Sequence, residues 1–298
     1  MHTSRGGKME TLGFIGTGVM GFPMARNLAR HFGQLVVWNR SPGKSAALVP
    51  FGAQVAASPG ELLDRCRIVI MMLATEDAID DVLRQAGADL PGSLSGRIVV
   101  HMGTTSPAYS AALNERIRPA GGQYVEAPVS GSRLPAENGQ LVGMLAGDPD
   151  AVAEVRPWLA PVCKETFVCG PVPSALQMKL AVNLFLITLV SGLVESHHFA
   201  RELGLDTALH RAILDAGPMA SAVSKMKLEK LVADDFSVQA SIADVQKNSR
   251  LVAEEARRGG IVSPLIEECY RLFSETLAGG HGGLDMIGVL RAIEGRKR

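Results

Sequence analysis

The sequence has no surplus of either charge. Its 30 basic side chains match its 30 acidic ones, for a formal net charge of +0. A dedicated binder of nucleic acid or of an acidic membrane carries a basic excess, so neither partner is expected. Paired cysteines are lacking too. Cys66, Cys163, Cys169 and Cys269 form no CxxC and have no histidines at ligand spacing. Neither a structural zinc site nor a disulfide framework is expected, no metal is assigned, and a reducing cytoplasm suits them. No apolar run is long enough for a bilayer. The longest, 180–194, is broken by Asn183, Thr188 and Ser191, falls short of the ~20 residues a span needs, and reads as part of a helix buried nearly all round. The opening MHTSRGGKME has no apolar core of the signal-peptide kind. The expectation is a soluble cytoplasmic enzyme. Its 298 residues suggest two domains at ~150 residues each.

The first half alternates. Short apolar runs at 11–15, 35–38, 68–73, 98–101, 124–126 and 141–145 are separated by helix-like stretches such as 20–32, 76–84 and 107–117. This rhythm predicts a Rossmann-type α/β domain, a doubly wound parallel sheet. From Ser174 onward helical periodicity takes over, with one long helix over 176–201 and further helices near 206–216, 221–232, 242–258, 264–277 and 286–293. Gly170-Pro171-Val172-Pro173 is the strongest punctuation at the change. The expected domains are therefore 1–172 and an all-α domain at 173–298 that begins with the long helix.

Gly16-Thr17-Gly18-Val19-Met20-Gly21 is a GxGxxG loop directly after a predicted strand and opening a predicted helix. Gly16 permits the tight turn, Gly18 lets a pyrophosphate approach the backbone, and Gly21 lets helix pack on strand. The free N–H groups at the helix start face the phosphates. The second strand ends Trp38-Asn39-Arg40-Ser41, with Lys44 close behind. No carboxylate stands where an acid would bind the ribose 2′-hydroxyl of NAD. Arg40 can pair with a 2′-phosphate, aided by Ser41 and Lys44. NADP(H) is expected to be preferred, with NAD(H) possible; an ordinary solvated turn is the plainer alternative. Leu73, Ala74 and Thr104, near strand ends, complete the expected cofactor contacts.

Lys179 lies early in the long apolar helix, where burial disfavours the ammonium form and suits a proton donor. Asn183, four residues on, shares its helical face, and the two could hold one substrate oxygen between them. A snorkelling lysine beside a core asparagine is the alternative. Ser130, Gly131 and Ser132 follow a strand end and could cup a carboxylate as a small nest of N–H and O–H donors, or form only a tight turn.

Together these pieces resemble the β-hydroxyacid dehydrogenase family, which includes enzymes like 3-hydroxyisobutyrate dehydrogenase. The resemblance rests on GFIGTGVMGFPMARNL at 13–28, EAPVSGSRLPAENGQL at 126–141, MKLAVN at 178–183, DVQKN at 244–248 and GGHGGLD at 279–285. The WNR, EAPVSGS and MKL-x-VN variants look most like the NADPH-dependent glyoxylate/succinic semialdehyde reductases. The resemblance implies that Lys179 is the general acid and that Asn183 orients the carbonyl oxygen or the lysine. It implies that Ser130, Gly131 and Ser132 hold the substrate carboxylate. Thr104 and Lys247 would contact the cofactor, Lys247 reaching from the helical domain across a closed cleft. It further implies a homodimer or homotetramer through the helical domain. Asp285 matches a late family position without an evident role.

The departures are specific. Pro173 and Ala175 replace two glycines usual before the lysine, His101-Met102-Gly103 replaces an Asp-Met-Ser-like strand end, and Asn248 replaces an acid. Ser221-Ala222-Val223-Ser224 stands where the reductase branch tends to carry an aromatic, which predicts a pocket wall of smaller residues. The reaction expected is NADPH-dependent reduction of a small aldehyde or keto acid, or the reverse oxidation. An imine reductase on the same architecture and a non-catalytic NADP-binding module are the alternatives.

Overall fold

The computed structural model describes residues 12–296. Buried apolar runs make the central strands β1 (Leu12–Ile15), β2 (Leu35–Trp38), β3 (Ala53–Val55), β4 (Ile68–Met71), β5 (Ile98–His101) and β6 (Gln123–Glu126). They lie in the order β3-β2-β1-β4-β5-β6, every neighbouring pair parallel. Every residue of β1, β4 and β5 is buried, as expected where helices cover both faces of a parallel sheet. Beyond β6 the sheet is mixed. β7 (Val129–Ser130) and β8 (Leu141–Gly147) pair antiparallel, β8 also runs antiparallel to β6, and β9 (Cys163–Gly170) returns parallel to β8. The 131–140 connection is too short for the long crossover that parallel strands need.

Helices α1 (Gly21–Phe32), α2 (Pro42–Ala46), α3 (Pro59–Arg65), α4 (Glu76–Gln85), α5 (Pro107–Ile117), α6 (Arg133–Glu137) and α7 (Pro149–Val155) flank this sheet. Local chemistry starts several of them. Ser58, Thr75, Ser106 and Asp148 each accept a first-turn N–H, satisfying donors that a helix start leaves open.

The chain divides into two compact units that meet between Lys179 and Leu180. The helix that begins at Ser174 has its first turn bonded to Glu126 of the first unit. That helix, α8 (Ser174–Glu202), is followed by α9 (Thr207–Ala216), α10 (Ala222–Val232), α11 (Ile242–Arg258), α12 (Pro264–Thr276) and α13 (Leu290–Gly295). The single helix expected at 286–293 is instead a 3₁₀ turn, Met286–Val289, leading into α13. Leu180, Ile187, Val190 and Val194 of α8 pack with Leu228, Phe273 and Ile287 in the core of the second unit. By length and composition alone α8 could cross a membrane, yet only 39% of its most apolar window is buried. The expectation of a helix buried nearly all round is therefore corrected: its core stripe covers one side, and Phe185 and Phe199 stand exposed on another.

Candidate active site

The loop between β1 and α1 is built for close approach. Gly16 has φ +96, and a Cβ there would lie 2.3 Å from the Met72 carbonyl oxygen. A Cβ on Gly21 would lie 1.9 Å from the Gly16 oxygen, whereas one on Gly18 would meet nothing within 4 Å. Gly16 and Gly21 thus serve the protein's own packing, and Gly18 faces open space. Met20 precedes α1 without a side-chain cap, and the first turn carries no acid. An uncapped helix start beside an open glycine fits a pyrophosphate, since N–H donors and the positive end of the helix dipole converge there. Thr17 is buried and Val19 exposed.

Asn39 ties this loop to the end of β2. Its Oδ1 accepts the Thr17 N–H at 3.0 Å, and its Nδ2 donates to the Ser41 carbonyl at 3.2 Å. Ser41 precedes α2 without spending its hydroxyl as a cap. Arg40, Ser41 and Lys44 are all exposed, leaving two cations and a hydroxyl on one short segment with no carboxylate in it.

Parallel β4 and β5 pair Met71 with His101, so the loops that follow them run side by side. Ala74 is exposed, Leu73 and Thr104 half-buried. The Glu76 carboxylate accepts both the Ser106 N–H at 3.0 Å and its hydroxyl at 2.8 Å, fastening these loops together. Gly103 stands where the family resemblance would place a hydroxyl, and the space around it is restricted. A Cβ would stand 2.5 Å from the Leu73 oxygen and 2.9 Å from His101 Nε2. His101 is fully buried, with Nδ1 3.0 Å from the Tyr124 hydroxyl.

Ser130, Gly131 and Ser132 leave β7 at the start of α6. Gly131 has φ +127, and Ser132 precedes α6 without a side-chain cap. The cofactor-type helix holds this region. Asn27 Nδ2 donates to the Ala136 and Glu137 carbonyls at 3.1 and 3.3 Å, and Arg26 donates to the Glu137 carbonyl at 3.2 Å. The fold therefore brings the glycine loop's helix and the serine loop's helix together.

Lys179 and Asn183 occupy successive turns of α8, both buried. Asn183 Nδ2 is a buried donor with no hydrogen-bond partner among the described residues, as would suit a site that receives a ligand oxygen. Glu126, at the end of β6, is fully buried under the start of α8. Burial pushes its carboxyl pKa up, against the lowering effect of hydrogen bonds from Ser110, Leu176 and Ala175. Its role had no local signal beyond being an acid inside the apolar strand end Val125-Glu126-Ala127.

In the second unit Lys247 and Asn248 are half-buried on α11. Asp285, which the sequence left without a role, is fully buried. It accepts from Lys227 Nζ at 2.7 Å and from the N–H groups of Gln239 and Ala240 at 2.8 and 3.2 Å. Ser224 is buried and spends its hydroxyl in a reciprocal cap with Ser221 at the start of α10. Among the described residues no group of three His, Cys, Asp or Glu could hold a metal ion.

The NAD binding domain of 6-phosphogluconate dehydrogenase matches residues 11–170, and the NAD-binding domain of NADP-dependent 3-hydroxyisobutyrate dehydrogenase matches 174–293. The chain is 31% identical to glyoxylate/succinic semialdehyde reductase 1 of Arabidopsis thaliana, over 95% of this chain and 98% of that one. It is 28% identical to 2-hydroxy-3-oxopropionate reductase of Escherichia coli (strain K12), over 95% and 97% of the two chains. Psf3, solved with NADP+ and 2-OPP, superposes with a TM-score of 0.86 at 25% identity, covering 95% of this chain and all (100%) of that one.

Proposed function

The chain belongs to the β-hydroxyacid dehydrogenase family and is a nicotinamide-dependent oxidoreductase of hydroxyacids, and from that premise we propose that it reduces a small aldehyde or keto acid with NADPH, Lys179 being the general acid. The observation that carries this reading is the pair on α8: a buried lysine one turn before an asparagine whose buried amide donor has no acceptor among the described residues. When bound, the reduced nicotinamide supplies the hydride. Lys179 Nζ gives its proton to the substrate's carbonyl oxygen as that oxygen gains charge, and takes a proton from the hydroxyl in the reverse direction. Asn183 Nδ2 donates to the same oxygen and fixes its direction. Ser130 and the N–H groups of Gly131 and Ser132 receive the substrate carboxylate.

The residues of the glycine loop fit the pyrophosphate, and Arg40, Ser41 and Lys44 fit a 2′-phosphate through charge and hydrogen bonding. Leu73, Ala74 and Thr104 line the loops after β4 and β5, and Lys247 adds a further cofactor contact. The proposed enzyme works in the cytoplasm as a homo-oligomer assembled through the helical unit, without nucleic-acid or membrane partners.

The test is turnover of glyoxylate, succinic semialdehyde and 2-hydroxy-3-oxopropionate with NADPH and, in parallel, NADH. Activity is expected with NADPH above NADH. Lys179→Ala should lose about 10²–10⁴-fold in kcat, the range for removing a positioned general acid. Wild-type turnover by Lys179→Ala would overturn the lysine's role, and equal use of both cofactors would overturn the NADPH preference.

A further inference from the structure

The proposed chemistry leaves Glu126, a fully buried acid, unused. A helix start exposes N–H groups that need acceptors, and at a buried start each must be accounted for. In α8 the account closes. Ser174 N–H donates to the Pro171 carbonyl at 2.8 Å, and Gln177 N–H to the Pro173 carbonyl at 3.1 Å. The two between them, on Ala175 and Leu176, both donate to Glu126 Oε2, at 3.0 and 3.2 Å. The acceptor is therefore not a local capping residue but a carboxylate delivered from the end of β6, 49 residues earlier in the chain than Ala175.

Glu126 is itself held. Its Oε1 accepts from the Ser110 hydroxyl. Ser110 Oγ lies 2.8 Å from the Tyr124 hydroxyl, which lies 3.0 Å from His101 Nδ1. All four side chains are almost fully buried. His101 ends β5, two residues before Gly103. One continuous chain of contacts thus runs from His101, at the end of β5, to the first turn of α8. An anion at a helix N-terminus is stabilised by the helix dipole, and its bonds to N–H donors are charge-assisted. Lys179 follows Ala175 by four residues, about one turn and roughly 6 Å along the axis.

We propose that Glu126 is a positioning residue for catalysis. By gripping the Ala175 and Leu176 amides it fixes the height and rotation of the start of α8, and with them the point from which Lys179 delivers its proton. This rests on the reading of Lys179 as proton donor.

The test is a double-mutant cycle with Lys179→Ala, run alongside hydrogen exchange and NADPH titration on the purified full chain. Glu126→Gln keeps the size and one acceptor oxygen but loses the charge; Glu126→Ala loses both. The kcat order expected is wild type, then E126Q, then E126A, with E126A down at least tenfold and the NADPH Kd within about threefold throughout. Amides 175–179 should exchange faster in E126A, and less so in E126Q. In the K179A background E126A should cost little more, because the losses share one cause. Multiplying losses, or wild-type kcat in E126A, would overturn the proposal. If E126A does not fold, Glu126→Asp takes its place, its carboxylate drawn back by one methylene, with the same non-additivity expected and the same results overturning it. Should K179A keep full activity, the proton-donor reading fails, and the exchange of amides 175–179 still reports by itself whether Glu126 anchors the helix.

Discussion

Gly103 shows how one residue type is dictated by its neighbours. At the end of β5 the family-like pattern would place a hydroxyl, but the side chain would have to pass between the Leu73 carbonyl, 2.5 Å from its Cβ, and His101 Nε2, 2.9 Å away. The imidazole cannot retreat freely, because Tyr124 holds its other nitrogen at 3.0 Å in a fully buried setting. Gly103→Ala should therefore destabilise the protein by about 1–3 kcal/mol, the usual cost of overpacking, and raise the KM for the nicotinamide cofactor as the loop with Thr104 shifts. Trimming His101 as well should restore only part of the loss, since the Leu73 backbone oxygen is the closer obstacle. A denaturant midpoint for G103A equal to wild type would show that the loop gives way more easily than the packing suggests. Burial acts on the thiols too, pushing Cys66 and Cys163 up to about 12, which suits inert core cysteines rather than reactive ones.

Elements divide by whether their cause is local. β2, β5, α5 and α11 lie at the bounds the apolar periodicity gives, since unbroken apolar runs and capping serines are written side by side in the chain. Apolar periodicity does not mark β3 or β9. β3 exposes Gln54 and Val55, and β9 carries Lys164, Glu165 and Thr166 with little of it buried; edge strands like these need no apolar run and are defined by the partner strand instead. The site divides the same way. The glycine loop is legible because turn, open space and helix start are properties of consecutive residues, whereas Glu126 and Asp285 act on backbone groups tens of residues away. Asp285 joins three elements of the second unit: Lys227 on α10, the 239–240 segment before α11, and the 3₁₀ turn at Met286–Val289. Removing one partner of a buried ion pair leaves the other charge uncompensated, at about 3–5 kcal/mol. Asp285→Ala should cost that much in urea unfolding. Lys227→Met should cost less, because the aspartate keeps its N–H donors. A larger loss in K227M than in D285A would contradict this account.

At the scale of the whole molecule, the feature that asks for a partner is the outer face of α8. Phe185 is 68% exposed and Phe199 64%. Gly192 lies midway between them, and a Cβ added there would meet nothing within 4 Å. Residues seven apart return to the same side of a helix after two turns, so the three positions form one row. Two exposed aromatics on one face are where the proposed homo-oligomer would associate. The spacing also selects its symmetry. A two-fold axis through Gly192 would set two α8 helices antiparallel, with Phe185 of each copy against Phe199 of the other and the glycines allowing close approach. α9 extends the same apolar character with Leu209 and Ile213, 58% and 63% exposed. The proposed homo-oligomer should therefore appear as a dimer or larger species by light scattering at micromolar concentration. Phe185→Glu with Phe199→Glu should shift it to monomer, and Gly192→Leu should weaken the pair by blocking the crossing point without adding charge. A wild-type protein that scatters as a monomer would remove the partner altogether, while a dimer untouched by all three substitutions would move the contact to another face of the helical unit.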